Sequence, residues 1–223
     1  MDIQILDVKE QVLEENDRIA VETRESLRRS GTLLINLMGS PGAGKTSVLL
    51  QLIKRLGKTY RIGVMEADVD SDVDARTVAA AGAKVVQLHT GGLCHMDASM
   101  TKQGLDALGF EGLDLVILEN VGNLVCPAEF DVGADLRMMI LSVPEGDDKP
   151  LKYPLMFSVS DVMLVNKIDT AEIFDFDLEA AATRARALNP DIEIFPISAK
   201  TGEGFDDLTD WLGRRLRKGR NVD

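Results

Sequence analysis

The octapeptide Gly39-Ser40-Pro41-Gly42-Ala43-Gly44-Lys45-Thr46 limits what this chain can fold into more than any other feature. It fits the pattern G-x-x-x-x-G-K-[ST]. It lies between a short β-prone run, Thr32 to Met38, and a run at helical spacing, Thr46 to Leu56, closed by Gly57. Strand, glycine turn and helix in that order make a phosphate cradle. The glycines let successive backbone N–H groups curl round an anion, and the helix adds its positive N-terminal end. The candidate binding positions are Gly39, Gly42, Ala43, Gly44, Lys45, Thr46 and Ser47. Lys45 would bridge β- and γ-phosphate oxygens, and the Thr46 hydroxyl would ligate Mg²⁺.

The alternation continues along the chain. Further strands are predicted at Arg61 to Ala67, Lys84 to Leu88, Leu113 to Glu119, Arg137 to Val143, Val162 to Asn166 and Glu193 to Ile197. Helical patterns run over Met96 to Leu108, Leu178 to Leu188 and Phe205 to Lys218. DLVILE and VMLVN are continuous apolar runs, as strands buried on both faces require. The pattern implies an α/β fold, a three-layer α/β/α domain with a mostly parallel sheet, over residues 31–223. Ahead of it, residues 1–30 read as an N-terminal amphipathic helix, Asp7 to Arg29, with Val8, Val12, Ile19 and Leu27 at roughly helical intervals. Such a helix covers the sheet, mediates association or lies solvated on the domain. A length of 223 residues suits one domain with an appendage. The stretch from Pro144 to Pro154 reads as a long polar loop.

Two short motifs choose the base. Asn166-Lys167-Ile168-Asp169 follows VMLVN, and Ser198-Ala199-Lys200 follows EIFPI, the chain order of a guanine pocket. Here the sequence resembles the P-loop GTPases. The Asp169 carboxylate can accept from the guanine N1–H and 2-amino group, which adenine does not offer, so it would set specificity. Lys167 would lay its stem along the base, and the Ala199 N–H would reach O6.

Glu119-Asn120-Val121-Gly122 ends an apolar strand, where an acidic metal-side residue and a γ-phosphate-sensing glycine belong. Glu119 would act on Mg²⁺ through water. The Gly122 N–H would bond the γ-phosphate and be released on hydrolysis. Asp68 is the first candidate for the other switch carboxylate and Asp74 the second. Alternatively Glu66, Asp68, Asp70, Asp72 and Asp74 only solvate a helix start. Asn123, not glutamine, follows Gly122, so unaided turnover is expected to be slow.

A net charge of −12 repels phosphate backbones and anionic lipid, which argues against nucleic acid or a membrane as partner. No apolar run is long enough to span a bilayer, no export signal is evident, and a cytoplasmic location is expected. The two cysteines, Cys94 and Cys126, would then stay reduced. With His95 they fall in loops after strands and can converge on the nucleotide face. Thiolate and imidazole suit Ni²⁺ or Zn²⁺, but three ligands leave a four-coordinate site one short. The level alternative is two thiols acting as small hydrophobes, with His95 capping the next helix. His89, inside an apolar strand pattern, reads as a satisfied core histidine.

GSPGAGKT, the stretch Gly91 to Ala98, ENVGNLVCPAEFD at Glu119 to Asp131, Ser142 to Pro150 and NKID together resemble the HypB family of hydrogenase nickel-incorporation GTPases. The resemblance runs from about Gly31 to Trp211. It implies a GTPase of the signal-recognition-like class that uses GTP/GDP and Mg²⁺. Such a GTPase delivers Ni²⁺ to the large subunit of [NiFe] hydrogenase, or in some organisms to urease. It also implies that Cys94, His95 and Cys126 form a Ni²⁺ or Zn²⁺ site at the interface of a homodimer promoted by GTP and metal. The first thirty positions carry neither a cysteine motif nor a histidine-rich stretch, which implies a separate nickel carrier protein. The rival readings are a GTPase with a purely structural zinc site and a GTPase chaperone for a cobalamin enzyme. The second of these has no need of the Cys94-His95 pair.

Overall fold

The computed structural model describes residues 8–68 and 73–219, with side chains over 11–67 and 75–217. Its centre is a sheet of seven parallel strands: β1 (Leu33–Gly39), β2 (Ile62–Asp68), β3 (Lys84–His89), β4 (Leu115–Glu119), β5 (Leu136–Ser142), β6 (Val162–Asn166) and β7 (Glu193–Pro196). The spatial order is β3-β2-β4-β1-β5-β6-β7. The strand carrying the cradle is therefore central, and β4, ending in Glu119, lies beside it with Leu37 level with Glu119. Because all strands run the same way, every functional loop leaves the same edge.

Strand residues alternate between two apolar layers. Ile35, Leu37, Ile117 and Ile140 pack under α2 (Lys45–Leu56) and α9 (Phe205–Gly219). Leu34, Val116 and Leu118 face α1 (Val8–Ser30) and α4 (Ala98–Leu108), while Met139 and Leu141 face α7 (Pro154–Val159) and α8 (Leu178–Leu188). The expected three-layer α/β/α arrangement is the observed one. A further helix, α3 (Val73–Ala80), follows β2, and two single-turn helices are α5 (Cys126–Glu129) and α6 (Lys149–Lys152). Among the described residues, no helix is long and apolar enough to cross a membrane.

Three expectations are corrected. The polar stretch Pro144 to Pro154 is mostly helical: a 3-10 turn over Val143–Glu145, then α6 and the start of α7. Proline opens each turn, where its missing N–H costs nothing, and Ser142 with Glu145 forms a reciprocal cap. His89 is exposed because it ends β3, the edge strand of the sheet. The stripe expected on α1 is also wrong. Val12 is exposed, Ile19 is half-buried and only Leu27 of the stripe is buried, Val8 lying outside the described side chains. The face that α1 buries is Asn16, Ala20, Thr23 and Leu27, because part of what it covers is loop backbone and needs a polar partner.

Candidate nucleotide and metal site

The cradle is a tight turn between β1 and α2. Gly44 has a left-handed backbone, φ 97°, and a Cβ there would meet the Asn166 amide at 2.5 Å, so only glycine fits. Lys45 is 9 % exposed, and its Nζ lies 3.4 Å from the carbonyl oxygens of Gly39 and Ser40. The Thr46 hydroxyl donates to Glu119 Oε1 at 2.9 Å. Two hard oxygens are thus side by side at the cradle mouth, the donor type that Mg²⁺ selects. Gly122 lies against the cradle from the other side, where a Cβ would meet Pro41 at 3.0 Å. Of the first-switch candidates, Asp68 ends β2 and Asp74 lies in α3, and both side chains fall outside the described residues.

The base-selecting motifs brace the same turn. Asn166 Nδ2 donates to Ala43 O at 2.9 Å, and Lys167, itself left-handed at φ 66°, donates through Nζ to Gly42 O at 2.7 Å. The Ala199 N–H, expected to reach O6 of guanine, is donated to Asn166 Oδ1 at 3.1 Å. Asp169 accepts from the Ser198 hydroxyl at 2.6 Å and lies 3.9 Å from Lys200 Nζ. Both motifs expected to select the base therefore meet beside the cradle.

The metal candidates also meet. Ligand atoms of Cys94, His95 and Cys126 all lie within 4.8 Å of one another. Cys94 Sγ is 2.8 Å from Cys126 Sγ and 3.8 Å from His95 Nδ1. Cys94 is exposed and Cys126 half-buried, so the thiols are not core residues. Nor does His95 cap the next helix. Asp97 does that by accepting from the Met100 N–H, and the imidazole stacks instead on Phe130 at 4.0 Å. Burial lowers the His95 pKa, with Asp97 and Glu129 opposing, which favours the neutral, ligating form. The bond from Cys94, then burial, pushes the Cys126 thiol up. Asn123 links cluster and cradle: it bridges to Gly39, and its Nδ2 donates to Cys94 O at 3.4 Å.

The CobW/HypB/UreG nucleotide-binding domain family matches residues 33–196. The chain belongs to this family. The hydrogenase maturation factor HypB of Azotobacter vinelandii is 45 % identical over 217 residues, covering 96 % of this chain and 72 % of that protein. The crystal structure of HypB from Helicobacter pylori in complex with nickel superposes with a TM-score of 0.86 at 38 % identity, covering 92 % of this chain and 96 % of that one. HypB from Archaeoglobus fulgidus gives 0.84 at 40 % identity, covering 92 % and 100 %. The CobW/HypB/UreG family is one of GTPase metallochaperones, and this chain is a P-loop GTPase of that family.

Within this CobW/HypB/UreG fold, sequence reasoning passed over Phe130, Asn16, Asn36 and Asn120. A signal existed for Asn36, an amide in the middle of the apolar run LLINLM, since a buried amide has to find a partner. Nothing in the sequence marked Phe130 as the platform for His95.

Proposed function

We propose that this protein is a GTP-hydrolysing maturation factor that assists nickel insertion into [NiFe] hydrogenase. The observation that carries the reading is the cluster of Cys94, His95 and Cys126, reached from the cradle in four residues beyond Gly122. The thiol, thiol and imidazole donor set suits Ni²⁺ as cargo or Zn²⁺ as a structural ion. It also counts against the cobalamin-enzyme chaperone.

In this reading the backbone N–H groups of Gly39, Gly42, Ala43, Gly44 and Ser47 cradle the phosphates, and Lys45 neutralises β and γ oxygens. Thr46 and Glu119 hold Mg²⁺, Glu119 through water, with Asp68 as the other switch acid. Asp169, Ser198 and Lys200 face the guanine, Lys167 lines it, and Asn166 orders the pocket. Ala199 serves O6 by sharing with it the N–H that it gives Asn166. Mg²⁺ offsets charge on the phosphates; the chain's own residues orient them and exclude water. Residues 31–223 act as the G domain and α1 as its helical appendage.

Three ligands per chain call for a fourth from a second copy, and Leu93 and Val125, about half exposed beside the thiols, suit a homodimer seam. GTP and metal both favour that dimer. A separate carrier supplies nickel, and the hydrogenase large subunit, or a urease pathway, receives it in the cytoplasm, where the thiols stay reduced.

Equilibrium Ni²⁺ and Zn²⁺ titrations with a GTP analogue and with GDP, read together with molecular mass, test this. Metal affinity and the dimer fraction are expected to differ between nucleotides. Identical isotherms and masses overturn it.

A further inference from the structure

Three buried asparagines lie between the nucleotide residues and the metal cluster without belonging to either. Asn36 sits in mid-β1, Asn120 directly follows β4, and each is 1 % exposed; Asn16 on α1 is 6 % exposed. Asn120 Nδ2 donates to Asn36 Oδ1 at 3.0 Å, which anchors the amide on the central strand. Its Oδ1 accepts two backbone N–H groups, Val121 at 2.9 Å and Met96 at 3.2 Å. Val121 adjoins Gly122, which packs on the cradle, and Met96 adjoins His95. One oxygen is therefore shared between the chain facing the phosphates and the chain carrying the imidazole.

We propose that Asn120 is the positioning residue that carries nucleotide state to the metal cluster, an inference that rests on reading Cys94, His95 and Cys126 as a nucleotide-coupled metal site. The two N–H groups occupy the two lone pairs of one oxygen in a dry setting, where hydrogen bonds are strong and an abandoned donor is costly. When Gly122 moves with the γ-phosphate, the Val121 N–H draws the Asn120 amide with it, and the Met96 N–H follows or loses its partner. The imidazole loop then shifts together with Cys126, which moves through its covalent tether to Gly122. Without Asn120 the loop of His95 and Cys94 no longer follows the nucleotide, and only the tether to Cys126 still does.

Asn16 supplies the contrast. Its Oδ1 accepts from the Ala98 N–H at 2.9 Å and its Nδ2 donates to Asp131 O at 2.9 Å, so it braces both metal loops from α1. None of its bonds reaches the end of β4. It supports the cluster in either nucleotide state.

The test measures Ni²⁺ dissociation constants for the full chain with a GTP analogue and with GDP, in the wild type, Asn120→Ala and Asn16→Ala. The wild-type constants should differ by about 5- to 150-fold, and Asn120→Ala should reduce that ratio at least about threefold. Asn16→Ala should weaken both states by one common factor and keep the ratio. A folded Asn120→Ala that keeps the wild-type ratio overturns the proposal, as does an Asn16→Ala that lowers the ratio as much. A wild-type ratio of unity removes the coupled-site reading itself. If Asn120→Ala does not fold, amide exchange at Met96 in the wild type decides: protection that changes between nucleotides supports the proposal, and identical protection overturns it.

Discussion

The phosphate cradle and the metal cluster both sit on loops at the carboxyl ends of parallel strands, yet they are held differently. The cradle is pinned from outside by Asn166 and Lys167, and the neighbouring Ala199 loop is tied back to α2 by Gln51, which donates to Ala199 O at 2.8 Å. Of the metal cluster's ligand side chains, Cys94 is exposed and His95 and Cys126 are partly buried, and their loops are braced from beneath by Asn120 and Asn16. A turn whose carbonyls are pinned by side chains from a nearby strand end is preorganised for binding. Loops that carry their ligands at or near the solvent surface can change state at smaller cost. The physical division of labour is a rigid half that recognises nucleotide and a looser half that registers it.

The harshest way to strain that comparison is Lys45→Ala. Removing the cation at the β/γ-phosphates should lower turnover at least about 100-fold. Since the cradle is braced by other residues, the circular dichroism spectrum should not change. Phosphate release at the wild-type rate would remove Lys45 from its role, and loss of helical signal would show that the cradle is not independently pinned.

Cys126→Ala probes the other half. Removing a ligand should weaken Ni²⁺ binding by more than the roughly 10- to 100-fold that losing a ligand's outer partner costs. GDP affinity measured without metal should stay within about twofold, because Cys126 lies four residues beyond Gly122 and outside the cradle. Unchanged metal isotherms would return the cysteines to a packing role.

Asp169→Asn is expected to cost about 1 to 3 kcal/mol of guanine preference, read from competition between GTP and ATP. Equal affinity for the two nucleotides in the wild type would remove the residue from its assigned task.

The smallest effect concerns the brace on α1. Arg24 donates to both oxygens of Asp131 at 2.7 and 2.8 Å. Burial alone would raise the Asp131 pKa, but Arg24, the Gly133 N–H and Arg137 hold it below the usual carboxylate range. With the folded value depressed, this contribution is complete above the unfolded pKa and is lost as pH falls through the folded one. Arg24→Met should therefore cost about 1 kcal/mol in urea unfolding at neutral pH and progressively less in acid. A difference that stays constant down to the lowest pH would mean that the ion pair does not hold the helix.

Much of this was legible because local chemistry left few options. Lys45, Thr46, Asp169 and Glu119 were singled out by motif and are brought to one edge, since a phosphate cradle needs glycines at set intervals and a parallel sheet puts every strand-end loop on one edge. The buried strands announced themselves as apolar runs for the same reason. The convergence of Cys94 and Cys126, 32 residues apart, was undecided until β3 and β4 were seen flanking β2, because spacing along a chain carries no information about which loops become neighbours. His89 was misread because the run KVVQLH does not say that β3 is an edge.

What the sequence determined by itself was the alternation of strands and helices, the cradle and the choice of guanine, all set by contacts within a few residues or by a shared strand polarity. Tertiary structure alone decided which face α1 buries, what orients His95 and where the buried amides point. Asn16, Phe130 and Asn120 act on residues 82, 35 and 24 positions away, and a polar side chain on a helix or strand end stays ambiguous until the backbone N–H it must satisfy is brought to it.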